Sequence, residues 1–173
     1  TGLNFNPDFS LKLGSIIRSY CDVNPRDLME MRMNLFTKKL KRAFVLTLHL
    51  VEYFDEPNLQ LKLPNLPSNT IGEQLWCMIG ARESYLKAIK HKGWVDFSCS
   101  LTDTASKKEV VNAILESAKD VMDFIETTEL DDTQLEFLHE LLEHEIMHHG
   151  QLIRYMYGNK LGFPKSWCDR YTV

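Results

Sequence analysis

The chain reads as all-α, a four-helix bundle with a long crossover between its first two helices. Three observations predict this. Capping signals stand ahead of four separate segments. Inside each, apolar residues recur at helical spacing. No run alternates with period two for long enough to demand a sheet. At 173 residues the chain suits one domain, 1–173, in which 1–23 forms an N-terminal extension ahead of the first helix.

The first helix opens at Asn24 as cap with Pro25 at its first position, and runs to about Phe54. Phe36, Leu40, Ala43, Thr47, Val51 and Phe54 form its inner stripe. Three prolines between Glu56 and Asn69 mark an extended crossover. Thr70 and Glu73 then form a capping box for the second helix, with Leu75, Met78, Ile79, Tyr85, Leu86 and Ile89 on one side and Gly93 as the stop. A second box, Ser106 and Glu109, opens the third helix, which carries Val110, Val111, Ala113, Ile114, Ala118, Val121, Met122 and Ile125 and ends near Thr127. The fourth begins around Asp131 to Thr133, with a box in Thr133 and Glu136, and continues to Tyr157 before Gly158 breaks it.

Charge and composition exclude several classes. The 20 Lys and Arg are outnumbered by 24 Asp and Glu, giving a net charge of −4 and no general attraction to nucleic acid or an anionic membrane. The basic run from Lys38 to Arg42 reads as a solvated helix face. No apolar stretch approaches the ~20 residues needed to cross a bilayer, and Thr1 to Ser10 lacks the pattern of a secretory signal, so a cytoplasmic protein is expected. Cys21, Cys77, Cys99 and Cys168 are widely spaced, with no CxxC pair, and read as reduced thiols.

The chemistry concentrates in the last helix, which holds His139, His144, His148 and His149. At ~100° per residue, His144 and His148 fall within ~40° of each other, on the stripe of Phe137, Leu141, Leu152 and Tyr155. Two imidazoles buried side by side need partners for their nitrogens, and a shared cation supplies one. His49, His91 and His139 are expected to face solvent.

The string His144-Glu145-Ile146-Met147-His148 matches the HExxH of zinc proteases. The protease reading fails because no glutamate follows His148, Arg154 stands where a third histidine is required, and no sheet is expected to shape a peptide cleft. A di-iron carboxylate bundle fails too. Its Glu-x-x-His motifs must lie on two helices, whereas Glu136 to His139 and Glu145 to His148 share one.

The stretch from Leu141 to Leu152, with its H-E-x-x-H-x-G-Q pattern, resembles the last-helix signature of the DinB/YfiT-like family of metal-binding four-helix bundles. Thr70 to Glu83 is similar to that family's second-helix motif, and Gly162-Phe163-Pro164 suits its tail. The resemblance runs from about Asn24 onward. It implies a divalent metal held by one ligand from the second helix and two from the last, with an open position. His144 and His148 match the pair on the last helix, and Cys77 stands where the family has its other histidine. A Cys-His-His set favours zinc, with nickel the other candidate.

The resemblance further implies a transferase that activates a low-molecular-weight thiol for attack on an electrophile, working as a homodimer. Glu145, His149 and Gln151 are then candidates for orienting groups or proton transfer. Two alternatives stand beside it. One is a metal-free bundle serving as a binding or dimerisation module. The other makes Cys77 itself the nucleophile.

Overall fold

The structure is a computed structural model describing residues 24–173, and the expected 1–23 extension lies outside the described residues. Among those residues there are five α-helices and no strand: α1 (Pro25–Tyr53), α2 (Ile71–His91), α3 (Lys107–Thr127), α4 (Asp132–Gly158) and α5 (Lys165–Tyr171). From Leu40 onward the chain forms one compact unit reaching Val173, and the packing described below is that of this unit. No helix among the described residues is long and apolar enough to cross a membrane.

Local signals place most helix ends. The Thr70–Glu73 box closes both ways, Glu73 N–H donating to Thr70 Oγ1 at 3.1 Å and Thr70 N–H to Glu73 Oε2 at 2.6 Å. Ser106 accepts from Glu109 N–H at the start of α3. At two ends the boundary falls where expected but other residues form it. The box that opens α4 is Asp131 with Gln134, which satisfies two backbone donors two residues earlier than Thr133 and Glu136 would. At the end of α2 it is Lys92, not Gly93, that adopts the left-handed conformation, with φ 54°. Gly93 N–H then returns to Ala88 O at 3.0 Å, so the reversal is complete before the glycine's freedom is needed.

The crossover is partly helical. Asp55 and Asn58 cap a 3-10 helix, Glu56–Gln60, whose Leu59 is fully buried. Its far end is tied by Ile71 N–H to Leu61 O and by Asn159 Nδ2 to Lys62 O. The connection from α2 to α3 folds back along α2. Ser98 N–H donates to Ser84 Oγ, and Ser100 N–H and hydroxyl both donate to the Glu83 carboxylate.

Helix α2 is the central partner, packed on α4 and on α3. The core collects Leu50 and Val51 of α1 with Phe54 just past its end, Leu75, Met78 and Ile79 of α2, Val110 and Ile114 of α3, and Leu152 and Met156 of α4. Helix α5 was not anticipated from the pattern, since seven residues carry too few turns for periodicity to register. Its Trp167 is completely buried and donates its indole N–H to Leu46 O at 2.7 Å, tying α5 to α1.

Two helical glycines respond oppositely to a methyl group. At Gly72 a Cβ would lie 2.1 Å from Thr104 O and 3.2 Å from Leu59 O, both backbone atoms that cannot swing aside. At exposed Gly150 it would meet nothing within 4 Å. Gly150→Ala is therefore expected to stabilise the protein by about 0.5–1 kcal/mol through helix propensity. Gly72→Ala is expected to destabilise it by roughly 1–3 kcal/mol despite the same propensity gain. Urea denaturation of the two variants checks this, and a gain in both would refute the close approach at Gly72.

Candidate metal centre

The buried face of α4 runs through Leu138, Leu141, Glu145, His148, His149, Leu152, Tyr155 and Met156. Its centre is thus Glu145, which is fully buried, while His144 sits half-buried on the flank. Across from it, the buried face of α2 runs through Met78, Ile79, Arg82, Leu86 and Ile89, and Arg82 is likewise fully buried. The two charges meet. Arg82 donates from Nη2 to Glu145 Oε1 at 2.5 Å and from Nε to Oε2 at 3.2 Å, a two-pronged pairing. Its remaining arm reaches Ile114 O at 3.0 Å, and its guanidinium lies 4.2 Å from the centre of the Phe44 ring.

A further chain of hydrogen bonds ends on the same carboxylate. Thr47 Oγ1 donates to Glu145 Oε1 at 2.5 Å and lies 2.7 Å from His149 Nε2, while His149 Nδ1 lies 2.6 Å from the Tyr171 hydroxyl. With the threonine proton on Glu145, the threonine oxygen accepts from His149 Nε2–H, and Nδ1 accepts from Tyr171. This requires a neutral imidazole. Burial supplies it, pushing His149 down to about 4 even though Glu145 pulls the other way. Burial opposes ionisation of Glu145, but the adjoining Arg82 charge and its hydrogen bonds win and hold that carboxyl below the usual glutamate range.

The second constellation lies on the flank where α2 faces α4. Cys77 comes from α2, His144 and His148 from α4, and their ligand atoms all lie within 4.8 Å of one another. Cys77 Sγ stands 3.8 Å from His144 Nε2, and the two imidazole rings are 4.5 Å apart at their centroids. Each residue is half-buried or buried, so the cluster is partly shielded without being sealed. His148 Nδ1 is 2.9 Å from Gln74 Oε1, whereas His144 Nδ1 is buried without a hydrogen-bond partner.

These donors fit a metal ion. Burial lowers His144, and burial together with the neighbouring His144 lowers His148 to about 4, so both rings offer lone pairs at neutral pH. It is Nε2 of His144 that faces the Cys77 sulfur, with Nδ1 turned to the other side of the ring. Two imidazoles and a thiol, gathered at this spacing, could hold a metal ion.

Burial raises the Cys77 thiol, which argues against a free thiolate acting alone as nucleophile. Of the other sequence candidates, Glu145 and His149 are engaged in the Arg82–Thr47–Tyr171 network. Gln151 is half-buried one turn beyond His148. His49, His91 and His139 are exposed, as the helical pattern implied. Sequence reasoning missed Gln74, Arg82 and Tyr171 as site-supporting residues. Arg82 left a signal, since it interrupts an apolar stripe on α2 just as Glu145 interrupts one on α4.

Two outcomes follow from this arrangement. Removing one charge strands the other, so Arg82→Met is expected to destabilise the protein by about 3–5 kcal/mol, and the double variant Arg82→Met/Glu145→Leu to recover most of that. A double-mutant cycle by denaturant unfolding measures it. For pH, the depressed His149 means that the unfolded chain binds a proton that the native state refuses. Stability is full above about pH 6.5 and declines as pH falls toward 4, by about 3 kcal/mol from this residue. His149→Gln should flatten that part of the pH–stability curve.

Comparison of the chain with protein-family models, with curated proteins and with solved structures finds no match. What the centre does is therefore read from its own donor atoms and their surroundings.

Proposed function

We propose that this chain is a divalent-metal protein, a four-helix bundle of the DinB/YfiT-like type, which binds zinc through Cys77, His144 and His148 and acts on a low-molecular-weight thiol. The observation that carries the reading is the convergence of one sulfur and two imidazole donors from two helices within 4.8 Å. The resemblance of Leu141 to Leu152 and of Thr70 to Glu83 to that family supports it. The soft sulfur favours zinc over harder ions, with nickel the next choice.

Zinc on three protein ligands would supply an open Lewis-acid position that lowers the pKa of a thiol and so readies it to attack an electrophile. The protein's own residues do the rest. His144 and His148 present neutral donors, and Cys77 gives up its proton to become the third. Glu145 is not the general base of a protease-type HExxH, because both of its oxygens already accept hydrogen bonds from Arg82. It holds α4 instead. Gln151, half-buried one turn beyond His148 on α4, is the remaining candidate to orient an incoming group. A homodimer and a reducing, cytoplasmic setting accompany the proposal.

A second reading, a metal-free binding or dimerisation module, draws on one observation. Burial raises the Cys77 thiol, which favours its protonated form beside His144 when no ion is bound. Elemental analysis of protein purified without an affinity His-tag separates the two. One zinc per chain is expected, lost in both Cys77→Ala and His148→Ala, with cobalt substitution giving a thiolate-to-metal absorption band that disappears in Cys77→Ser. Absence of metal even after incubation with zinc or nickel favours the module. A screen of thiol transfer to electrophiles by the loaded protein tests the activity.

A further inference from the structure

The two histidines of the cluster are not equivalent. His144 Nδ1 is buried with no partner, whereas His148 Nδ1 meets Gln74 Oε1 at 2.9 Å. Gln74 continues the chain. Its Nε2 approaches the Tyr155 hydroxyl at 3.5 Å, and that hydroxyl lies 2.8 Å from Asn69 O. Gln74 is on the first turn of α2, next to the Thr70–Glu73 box, and Tyr155 is a buried residue of α4.

The polarity of this relay can be settled from its far end. A backbone carbonyl only accepts, so the Tyr155 O–H must donate to Asn69. The tyrosine oxygen is then left as an acceptor, which only the NH2 end of the Gln74 amide can use. That turns the amide oxygen toward His148. An amide oxygen also only accepts, so His148 must carry its proton on Nδ1, and Nε2 is left with a bare lone pair.

We infer that Gln74 is a positioning residue that fixes the tautomer and ring orientation of His148, so that Nε2 is presented to the Cys77–His144–His148 cluster. The inference rests on the proposed metal reading for its purpose but not for its geometry. Metal-ligating histidines ordinarily use their second nitrogen in such a contact, and loss of the partner weakens binding. Here the partner is a neutral amide whose direction is set by a tyrosine and a main-chain carbonyl. His148 of α4 is thus oriented from the helix that supplies Cys77. His144 has no corresponding partner, so the relay acts on one ligand of the pair.

The test uses the full chain, uniformly labelled with 15N, at neutral pH. Long-range 1H–15N correlation of the imidazoles in the metal-free protein reads the tautomer of His148. Zinc affinity is then measured by competition with a chromogenic chelator. The wild type is expected to show the Nδ1–H form. Gln74→Leu should lose it and bind zinc about 10- to 100-fold more weakly. Gln74→Glu, whose carboxylate also accepts, should keep the tautomer and restore affinity, which a merely structural role would not predict. Tyr155→Phe leaves the amide unbiased and should give a mixture of tautomers, providing a second route should Gln74→Leu fail to fold.

A wild-type Nε2–H tautomer, or an unchanged tautomer in both Gln74→Leu and Tyr155→Phe, overturns the inference. So does zinc affinity within twofold of wild type in Gln74→Leu. If the wild type binds no zinc yet shows an Nδ1–H form that Gln74→Leu abolishes, the metal reading fails and the orienting role of Gln74 stands.

Discussion

Everything in the interior is arranged around one ion pair, Arg82 with Glu145. Two fully buried charges are unfavourable to desolvate, and the attraction between them offsets that only with good geometry and saturated hydrogen bonding. Here every nitrogen of Arg82 and both oxygens of Glu145 have a hydrogen-bond partner. Arg82 spends its donors on Glu145 and on Ile114 O, and Glu145 Oε1 accepts from Thr47 as well. Because the pair tolerates no sliding, it sets the register of α2 against α4. Cys77 lies five residues before Arg82 and His144 immediately before Glu145, so the register that joins the charges also brings the sulfur to 3.8 Å from the imidazole.

This changes how the HExxH string is to be read. In a protease the glutamate beside the first histidine works on water at the metal. Here the glutamate is fully buried against Arg82 of α2, while His144 and His148 meet Cys77 on the flank of the helix contact. The same five letters therefore describe a structural charge bracketed by two donors. His149 belongs with Glu145 for the same geometric reason, its ring held between Thr47 and Tyr171.

The helices were legible in the sequence because their signals are local. A threonine followed three residues later by glutamate closes a capping box whatever surrounds it, and α2 begins where Thr70 and Glu73 say it should. Where two local solutions competed, the pattern misled: Asp131 with Gln134 captured the start of α4, and Lys92 took the left-handed turn beside an available glycine. The pairing of His144 with His148 was readable from their spacing, and Cys77 only through a resemblance. Gln74, Arg82 and Tyr171 depend on which helix faces which, and helical period carries no such information. Still, one opposite charge in the middle of each of two apolar stripes is a pattern that a reader of the sequence can look for.

The placement of Trp167 also bears on how the protein comes to be folded. Its indole hydrogen bond to Leu46 joins residues 121 positions apart, and Tyr171 reaches His149 beside the central ion pair. Closing so long a loop is entropically unfavourable before the contacts form. During synthesis α4 ends only a short way ahead of Trp167, and the part of the core that Trp167 covers stays open to water until α5 follows. The nascent bundle thus passes through a stage with an uncovered hydrophobic patch, and α5 functions as the stopper that terminates its exposure to other chains.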